Sequence, residues 1–118
     1  MSLRGTPVHM ETDNLTAAKA YSRKDSGKHF TNLGAAGAVV VTLPTDSQKD
    51  DVFHMSVQAA QSFTVNPGIA TEVFRLVGVA QTAGHGIVSS TLGDVMTFVN
   101  LGAGVWQCRG AVQGFTAN

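Results

Sequence analysis

The chain has 118 residues, eight basic and eight acidic side chains and a formal net charge of zero. This length predicts a single domain, and a lone cysteine, Cys108, excludes an intrachain disulfide. The basic residues form no stripe, no leader-like segment begins the chain and no apolar run has membrane-spanning length, so we expect an intracellular protein that binds neither nucleic acid nor membrane.

The charged side chains are distributed unevenly along the sequence. Twelve of them lie in the first 51 residues, and the four that follow are Glu72, Arg75, Asp94 and Arg109. A small domain that stays monomeric keeps a charged exterior in order to remain soluble. We therefore expect a second surface to cover the charge-poor part of this one.

Residues 1–28 are polar, with charges of mixed sign and no sustained apolar period. We interpret them as an extended N-terminal arm, in which residues 12–14 are candidates to cap a short helical turn. Such a segment cannot form a core of its own, so we expect its order to come from a partner. Five of its side chains are candidate contacts with that partner, namely Arg4, Glu11, Asp13, Lys19 and Arg23.

Residues 29–118 are predicted to form a β domain. Short runs rich in Val, Thr and Phe are broken by Gly, Asn, Pro or Asp every eight to twelve residues, which is typical of an all-β sandwich or barrel. We expect a small antiparallel structure of about seven or eight short strands without an internal repeat. The predicted strands are residues 38–43, 52–57, 62–65, 73–77, 86–90, 95–100, 105–108 and 114–116, with a hairpin loop at 101–104.

No motif in the sequence predicts catalysis or a cofactor. The segment 34–37 lacks the Lys-Ser/Thr ending of a phosphate-binding loop, and Gln107 stands where a dinucleotide fingerprint needs its third glycine. Paired carboxylates occur only at Asp50 and Asp51, which would face opposite ways on a strand. Cys108 is expected to be a small buried side chain rather than a nucleophile. We therefore expect no enzyme, no cofactor and no catalytic residue.

The histidines and the single tryptophan have both structural and functional interpretations. His9, His29, His54 and His85 are too far apart in sequence for a local metal site, so a zinc site would need tertiary contacts or a symmetry axis. We expect no metal, with His54 facing outward from its strand and His85 at a loop tip. Trp106 is expected in the core, and its alternative role is an exposed stacking platform for a sugar.

The ends of the predicted strands carry motifs that resemble those of bacteriophage virion proteins. N-L-G-A-A-G at 32–37 introduces a strand that ends in T-L-P at 42–44, a later strand ends in N-P-G at 66–68, and G-V-W at 104–106 belongs to the closing hairpin. The resemblance spans residues 26–118. In these motifs the chain resembles capsid decoration (cement) proteins and tailspike and tail-fibre modules, which are usually homotrimers of β domains.

The resemblance leaves two functions open. The first is a decoration protein, made in the host cytoplasm, that binds the major capsid protein on the head surface as a homotrimer and stabilises the capsid through its N-terminal arm. The second is a tail-fibre or tailspike module that binds host surface polysaccharide through loop-tip residues such as His85 or Asn100. We favour the first because fibre modules generally belong to longer chains. Receptor cleavage is not expected, since the chain lacks a glycosidase carboxylate pair.

Overall fold

The computed structural model describes residues 11–76, 82–110 and 116–117. Strands dominate these residues, so the prediction of an all-β fold is confirmed. Their one helical element is a 3-10 turn at Arg23–Asp25, and no helix among them is long and apolar enough to cross a membrane. The strands in chain order are β1 (Thr12–Asn14), β2 (Lys19–Ala20), β3 (His29–Thr31), β4 (Val39–Thr42), β5 (Val52–Ser56), β6 (Phe63–Asn66), β7 (Val73–Arg75), β8 (Ile87–Ser89), β9 (Val95–Gly102), β10 (Val105–Arg109) and β11 (Thr116–Ala117).

The strands form two sheets. Sheet A has the order β1-β3-β5-β9-β10-β7, and sheet B has the order β11-β8-β6-β4-β2. The seven strands predicted between residues 38 and 108 correspond to β4 to β10, and the hairpin between β9 and β10 is confirmed. The predicted strand at 114–116 overlaps β11, although residues 114 and 115 lie outside the described residues.

Both sheets are mixed, so the predicted antiparallel arrangement is wrong for β1 to β6 and for the pair β7–β10. β1, β3 and β5 are parallel neighbours in sheet A, and β2, β4 and β6 are parallel neighbours in sheet B. After each of these strands the chain crosses to the other sheet, adds one strand there, and returns to form the next strand of the first sheet. This arrangement is a short two-sheet coil. The strand count also exceeds the predicted seven or eight, because residues 12–31 contribute β1, β2 and β3.

The turns of this coil differ in length. Thr12 pairs with His29, and His29 pairs with His54, so successive turns in sheet A take 17 and 25 residues. A coil whose turns are unequal leaves no fixed period in the sequence, which explains why no repeat is evident there. From β8 onward most pairs are antiparallel, namely β8 with β6, β9 with β5 and β10 with β9, whereas β10 is parallel to β7.

One apolar core fills the space between the two sheets. Phe30 of sheet A meets Phe63 of sheet B edge to face, with their ring centroids 6.0 Å apart. Trp106 has no exposed surface and packs against Phe53 and Phe74, so its predicted place in the core is confirmed. The indole Nε1 of Trp106 has no hydrogen-bond partner among the described residues. Within the part of the chain that the structure describes, Trp106 therefore contributes through packing alone.

The described part of the predicted arm, residues 11–28, lies along the edges of both sheets. β1 pairs with β3 and β2 pairs with β4, so residues 12–14 form a strand instead of capping a helical turn. Between these elements Tyr21 is only 5% exposed, and its ring lies 5.4 Å from that of Phe30 and 5.7 Å from that of Phe53. Residues 1–10, which include Arg4, lie outside the described residues.

The motifs at the strand ends hold successive turns of the coil together. Asn32 is fully buried, and its Oδ1 accepts the N–H groups of Gln58 and Ala59 at 2.7 and 3.0 Å. Its Nδ2 donates to the Ala59 carbonyl at 3.1 Å. Gly68 lies so close to the backbone of Leu43 and Pro44 that a β-carbon there would collide with it. The T-L-P and N-P-G motifs are therefore in direct contact with each other.

Replacement of Trp106 tests the packing of the core. Trp106→Ala should lower the free energy of unfolding by about 3 to 5 kcal/mol, the usual loss for a large buried aromatic side chain. Trp106→Phe is the matched control and should cost less, because the indole N–H makes no hydrogen bond to a described residue whose loss would add to the cost. Denaturant unfolding followed by circular dichroism measures both. An unchanged unfolding midpoint in Trp106→Ala would contradict the packing described above.

Candidate interaction surfaces

The outer face of sheet A, called here the A face, is crossed by three rows of outward-facing side chains. The central row runs across five strands and consists of Thr12, His29, His54, Thr97 and Arg109. The flanking rows consist of Asn14, Thr31, Ser56 and Val95, and of Val52, Val99, Gln107 and Arg75. Thr31 and Ser56 are buried, so the first of these rows contributes mainly Asn14 and Val95 to the surface. None of the three rows contains a carboxylate.

Hydrogen bonds between neighbouring strands tie the polar side chains of the A face together. His29 Nε2 lies 2.9 Å from Ser56 Oγ, and His54 Nδ1 lies 3.1 Å from Thr97 Oγ1. His54 is half-buried and outward-facing, as predicted. Its burial, and after that the proximity of His29, lower its pKa below the ordinary value. The A face therefore favours the neutral form of His54.

The outer face of sheet B, called here the B face, carries no charged side chain in its described rows. These rows consist of Val40, Thr64, Val88 and Thr116, and of Ala20, Thr42 and Asn66. Val40 is 39% exposed. The described rows of the B face thus carry small apolar, hydroxyl-bearing and amide side chains.

Three of the candidate partner contacts of the arm meet around Tyr21 and Lys28 of their own chain. Lys28 Nζ lies 3.5 Å from carboxylate oxygens of both Glu11 and Asp13. The Tyr21 hydroxyl donates to Asp13 Oδ2 at 2.8 Å, and burial followed by this bond raises the pKa of Tyr21. Lys19 Nζ lies 5.6 Å from the centre of the Tyr21 ring. These side chains hold the N-terminal segment on the β domain.

Arg23 contacts the loop at residues 46–51 instead. Its Nε lies 3.3 Å from Asp51 Oδ2, and its backbone N–H donates to Asp46 Oδ1 at 2.9 Å. Asp51 is buried and also accepts the N–H of Gln48. The structure thus gives Glu11, Asp13, Lys19 and Arg23 contacts within the chain, while Arg4 lies outside the described residues.

A polar cleft of about 440 Å³ lies between the 46–51 loop, residues 69–72 and the β9–β10 hairpin. Its wall includes the buried Asn100, whose Nδ2 donates to Ser47 Oγ at 2.9 Å and whose Oδ1 accepts the N–H of Gly102 at 2.8 Å. Glu72 is also buried in this wall and accepts the N–H of Ile69. The cleft offers Lys49 as a cation and several hydrogen-bonding groups to a small polar ligand.

The remaining side chains that could bind a metal or act as a nucleophile form no common site among the described residues. Among the described residues, no three His, Cys, Asp or Glu side chains are grouped so as to hold a metal ion. Cys108 is buried as predicted, and this burial raises the pKa of its thiol to about 12. His85 is exposed in the loop before β8.

Sequence reasoning missed the structural roles of Tyr21 and Lys28. The one signal that pointed to Tyr21 was its place as the only aromatic residue in a polar segment, since a tyrosine surrounded by charged residues often has a buried ring and a bonded hydroxyl. The sequence matches no family model and no curated protein. Function therefore has to be inferred from the two sheet faces and the cleft.

The lowered pKa of His54 predicts a pH-dependent stability. Folding favours the neutral imidazole, so its contribution is complete above the ordinary pKa of 6.5 and is lost as the pH falls through the lower folded value. The free energy of unfolding of the wild type should therefore drop as the pH is lowered through this window, and the drop should be shallower in His54→Gln. Denaturant unfolding at a series of pH values measures the difference.

His85→Gln is the matched control for this comparison, because it removes an exposed imidazole that is not on the A face. A decline in stability that is equally steep in His54→Gln and in the wild type would show that burial of His54 does not favour its neutral form.

Proposed function

We propose that the protein is a structural component of a bacteriophage particle, a capsid decoration protein that forms a homotrimer on the head surface and binds the major capsid protein. The observation that carries this proposal is the charge distribution on the two sheets. The described rows of the B face contain no charged side chain, and those of the A face contain no carboxylate. Surfaces of this composition are typical of subunit interfaces.

The two carboxylates that follow residue 51 in sequence add weight to this argument. Glu72 and Asp94 are both buried, and Asp94 accepts the Ser89 hydroxyl at 2.8 Å. They therefore add little charge to the surface, and Arg75 and Arg109 are the exposed charged side chains of this half of the chain. An isolated domain of this size normally carries both signs of charge over its whole exterior.

The strand-end motifs that resemble those of phage virion proteins also have a structural role in this fold. Asn32 and Gly68 make contacts between successive turns of the coil, so the motifs belong to the framework of the fold. In this proposal the contact of the arm with the capsid is assigned to residues 1–10, which include Arg4, because Glu11 and the side chains after it are engaged on their own domain.

The polar cleft favours a second candidate function, a tail-fibre or tailspike module that binds host surface polysaccharide. Its volume of about 440 Å³ and its mixture of amide, hydroxyl and charged groups suit a sugar. Trp106 is buried and gives no stacking platform, which weakens this candidate. Electron microscopy of the particle separates the two functions, since decoration requires density at three-fold positions of the head and recognition of a host requires density at the tail tip.

The proposal predicts a stable homotrimer at neutral pH and micromolar concentration. Uncharged sheet surface that one copy leaves exposed would be buried between copies, as in obligate oligomers. Size-exclusion chromatography with light scattering should give a mass three times the 12.3 kDa of the chain. A monomeric mass under these conditions would rule out the trimer.

Deletion of residues 2–10 tests the contact with the capsid. The truncated protein should keep its fold and its oligomeric mass, because it retains β1, β2 and Tyr21. It should bind undecorated heads more weakly than the full chain, and a chain with residues 2–10 scrambled is the matched control for length. Undiminished binding by both variants, measured by sedimentation with heads, would show that this segment takes no part.

A further inference from the structure

Arg75 and Arg109 lie side by side on the A face. Arg75 ends β7 and Arg109 ends β10, and both are exposed. Arg75 pairs with Gln107, and Arg109 is two residues further along the same strand, on the same face. Neighbouring strands are about 4.8 Å apart and two residues span about 6.6 Å along a strand, so the Cα atoms of the two arginines are about 8 Å apart and one group can reach both guanidinium groups.

Neither arginine has an acidic side chain of its own chain as a partner. All eight Asp and Glu side chains belong to the described residues, and their ion pairs with other described residues involve Arg23 and Lys28. The neighbours of the two arginines on the A face are Thr97, Val99 and Gln107. Protein interfaces are enriched in arginine and depleted in Lys, Asp and Glu, and arginine is often a dominant contact in them. The surroundings of the two arginines have this composition.

Asp50 is the complementary group. It is exposed at the end of the 46–51 loop, and its backbone N–H donates to the Asn100 carbonyl at 2.7 Å. Its carboxylate makes no hydrogen bond or ion pair with another described residue, whereas each of the other seven acidic side chains has at least one such partner. The described surface thus presents one free carboxylate and, at a different place, two arginines that no acidic side chain neutralises.

We propose that Asp50 of one copy pairs with Arg75 and Arg109 of the next copy, and that this contact is the subunit interface of the homotrimer. The inference rests on the homotrimer of the proposed function and identifies the surfaces that would form it. A guanidinium group binds a carboxylate with two parallel hydrogen bonds, which fixes orientation as well as charge. Because the two patches differ, the contact is head-to-tail, and three such contacts close the ring that a trimer requires.

Charge reversal tests the pairing. Arg75→Glu/Arg109→Glu should dissociate the trimer to monomers at micromolar concentration, because the introduced carboxylates would repel Asp50 of the next copy. The same loss is expected for Asp50→Lys, since the introduced ammonium group would repel the two arginines. The triple variant, which carries both sets of changes, should recover the trimeric mass, because every interface then has the opposite polarity.

Lys24→Glu is the matched control and should stay trimeric, because Lys24 is exposed outside the A face. Light scattering measures the mass of each variant, and thermal unfolding by circular dichroism confirms that each is folded. If the double reversal does not fold, Arg75→Gln/Arg109→Gln serves instead and should weaken association about tenfold or more at low salt.

The outcomes separate this pairing from the trimer itself. A wild type that is not trimeric overturns the proposed function. If folded Arg75→Glu/Arg109→Glu is still trimeric, only the pairing is overturned. If this trimeric variant also loses binding to heads, the pairing is again overturned, because the arginines would then contact an acidic surface of the capsid. Failure of the triple variant to recover more trimer than Asp50→Lys also overturns the pairing.

Discussion

The packing of two sheets against one apolar core constrains everything else in this molecule. From β1 to β6 the chain alternates between the sheets, so each strand pairs with the strand two elements before it and not with its neighbour in sequence. Phe30, Phe53 and Phe63 occupy the space between the sheets, and a shift of one residue in any of their strands would turn an aromatic ring to the outside. The register of the core therefore also sets the rows on the outer faces.

Buried polar side chains serve the connections between the sheets. A chain segment that leaves one sheet for the other loses its ladder partners, and its backbone N–H groups need acceptors from elsewhere. Asn32 and Asp51 supply such acceptors, to residues 58 and 59 and to Gln48 respectively. Polar side chains are needed at these positions because the crossing segments require hydrogen-bond acceptors. Asn32 and Asp51 are buried and contribute no charge to the outer faces.

The charges that remain exposed are concentrated where the N-terminal segment and the 46–51 loop meet. Lys28 binds the segment that precedes it, and Arg23 joins that segment to Asp51. Exposed ion pairs of this kind contribute little to stability, but they help to position the segment that carries the edge strands β1 and β2. With most charged side chains gathered there, the described rows of the two sheet faces contain two charged arginines, Arg75 and Arg109, and no carboxylate. The proposed assembly function rests on this distribution.

Short runs rich in Val, Thr and Phe, separated by turn residues, were enough to predict β4 to β10, the hairpin at 101–104 and the buried positions of Trp106 and Cys108. That information is local, because a side chain with period two faces the same way whichever strand lies beside it. The pairing of strands is not a local property, because the same turn residues can connect two strands of a hairpin or carry the chain to the opposite sheet. The parallel coil was missed for this reason. The low hydrophobicity of residues 11–28 concealed their strands, since their order depends on Tyr21 inserting between Phe30 and Phe53 of the domain. The sequence by itself determined the strands β4 to β10 and the scarcity of charge after residue 51. Only the tertiary structure decided that residues 12–31 also form strands, which strands pair, and which charged side chains, among the described residues, are left without an oppositely charged neighbour, because each of these depends on contacts between distant parts of the chain.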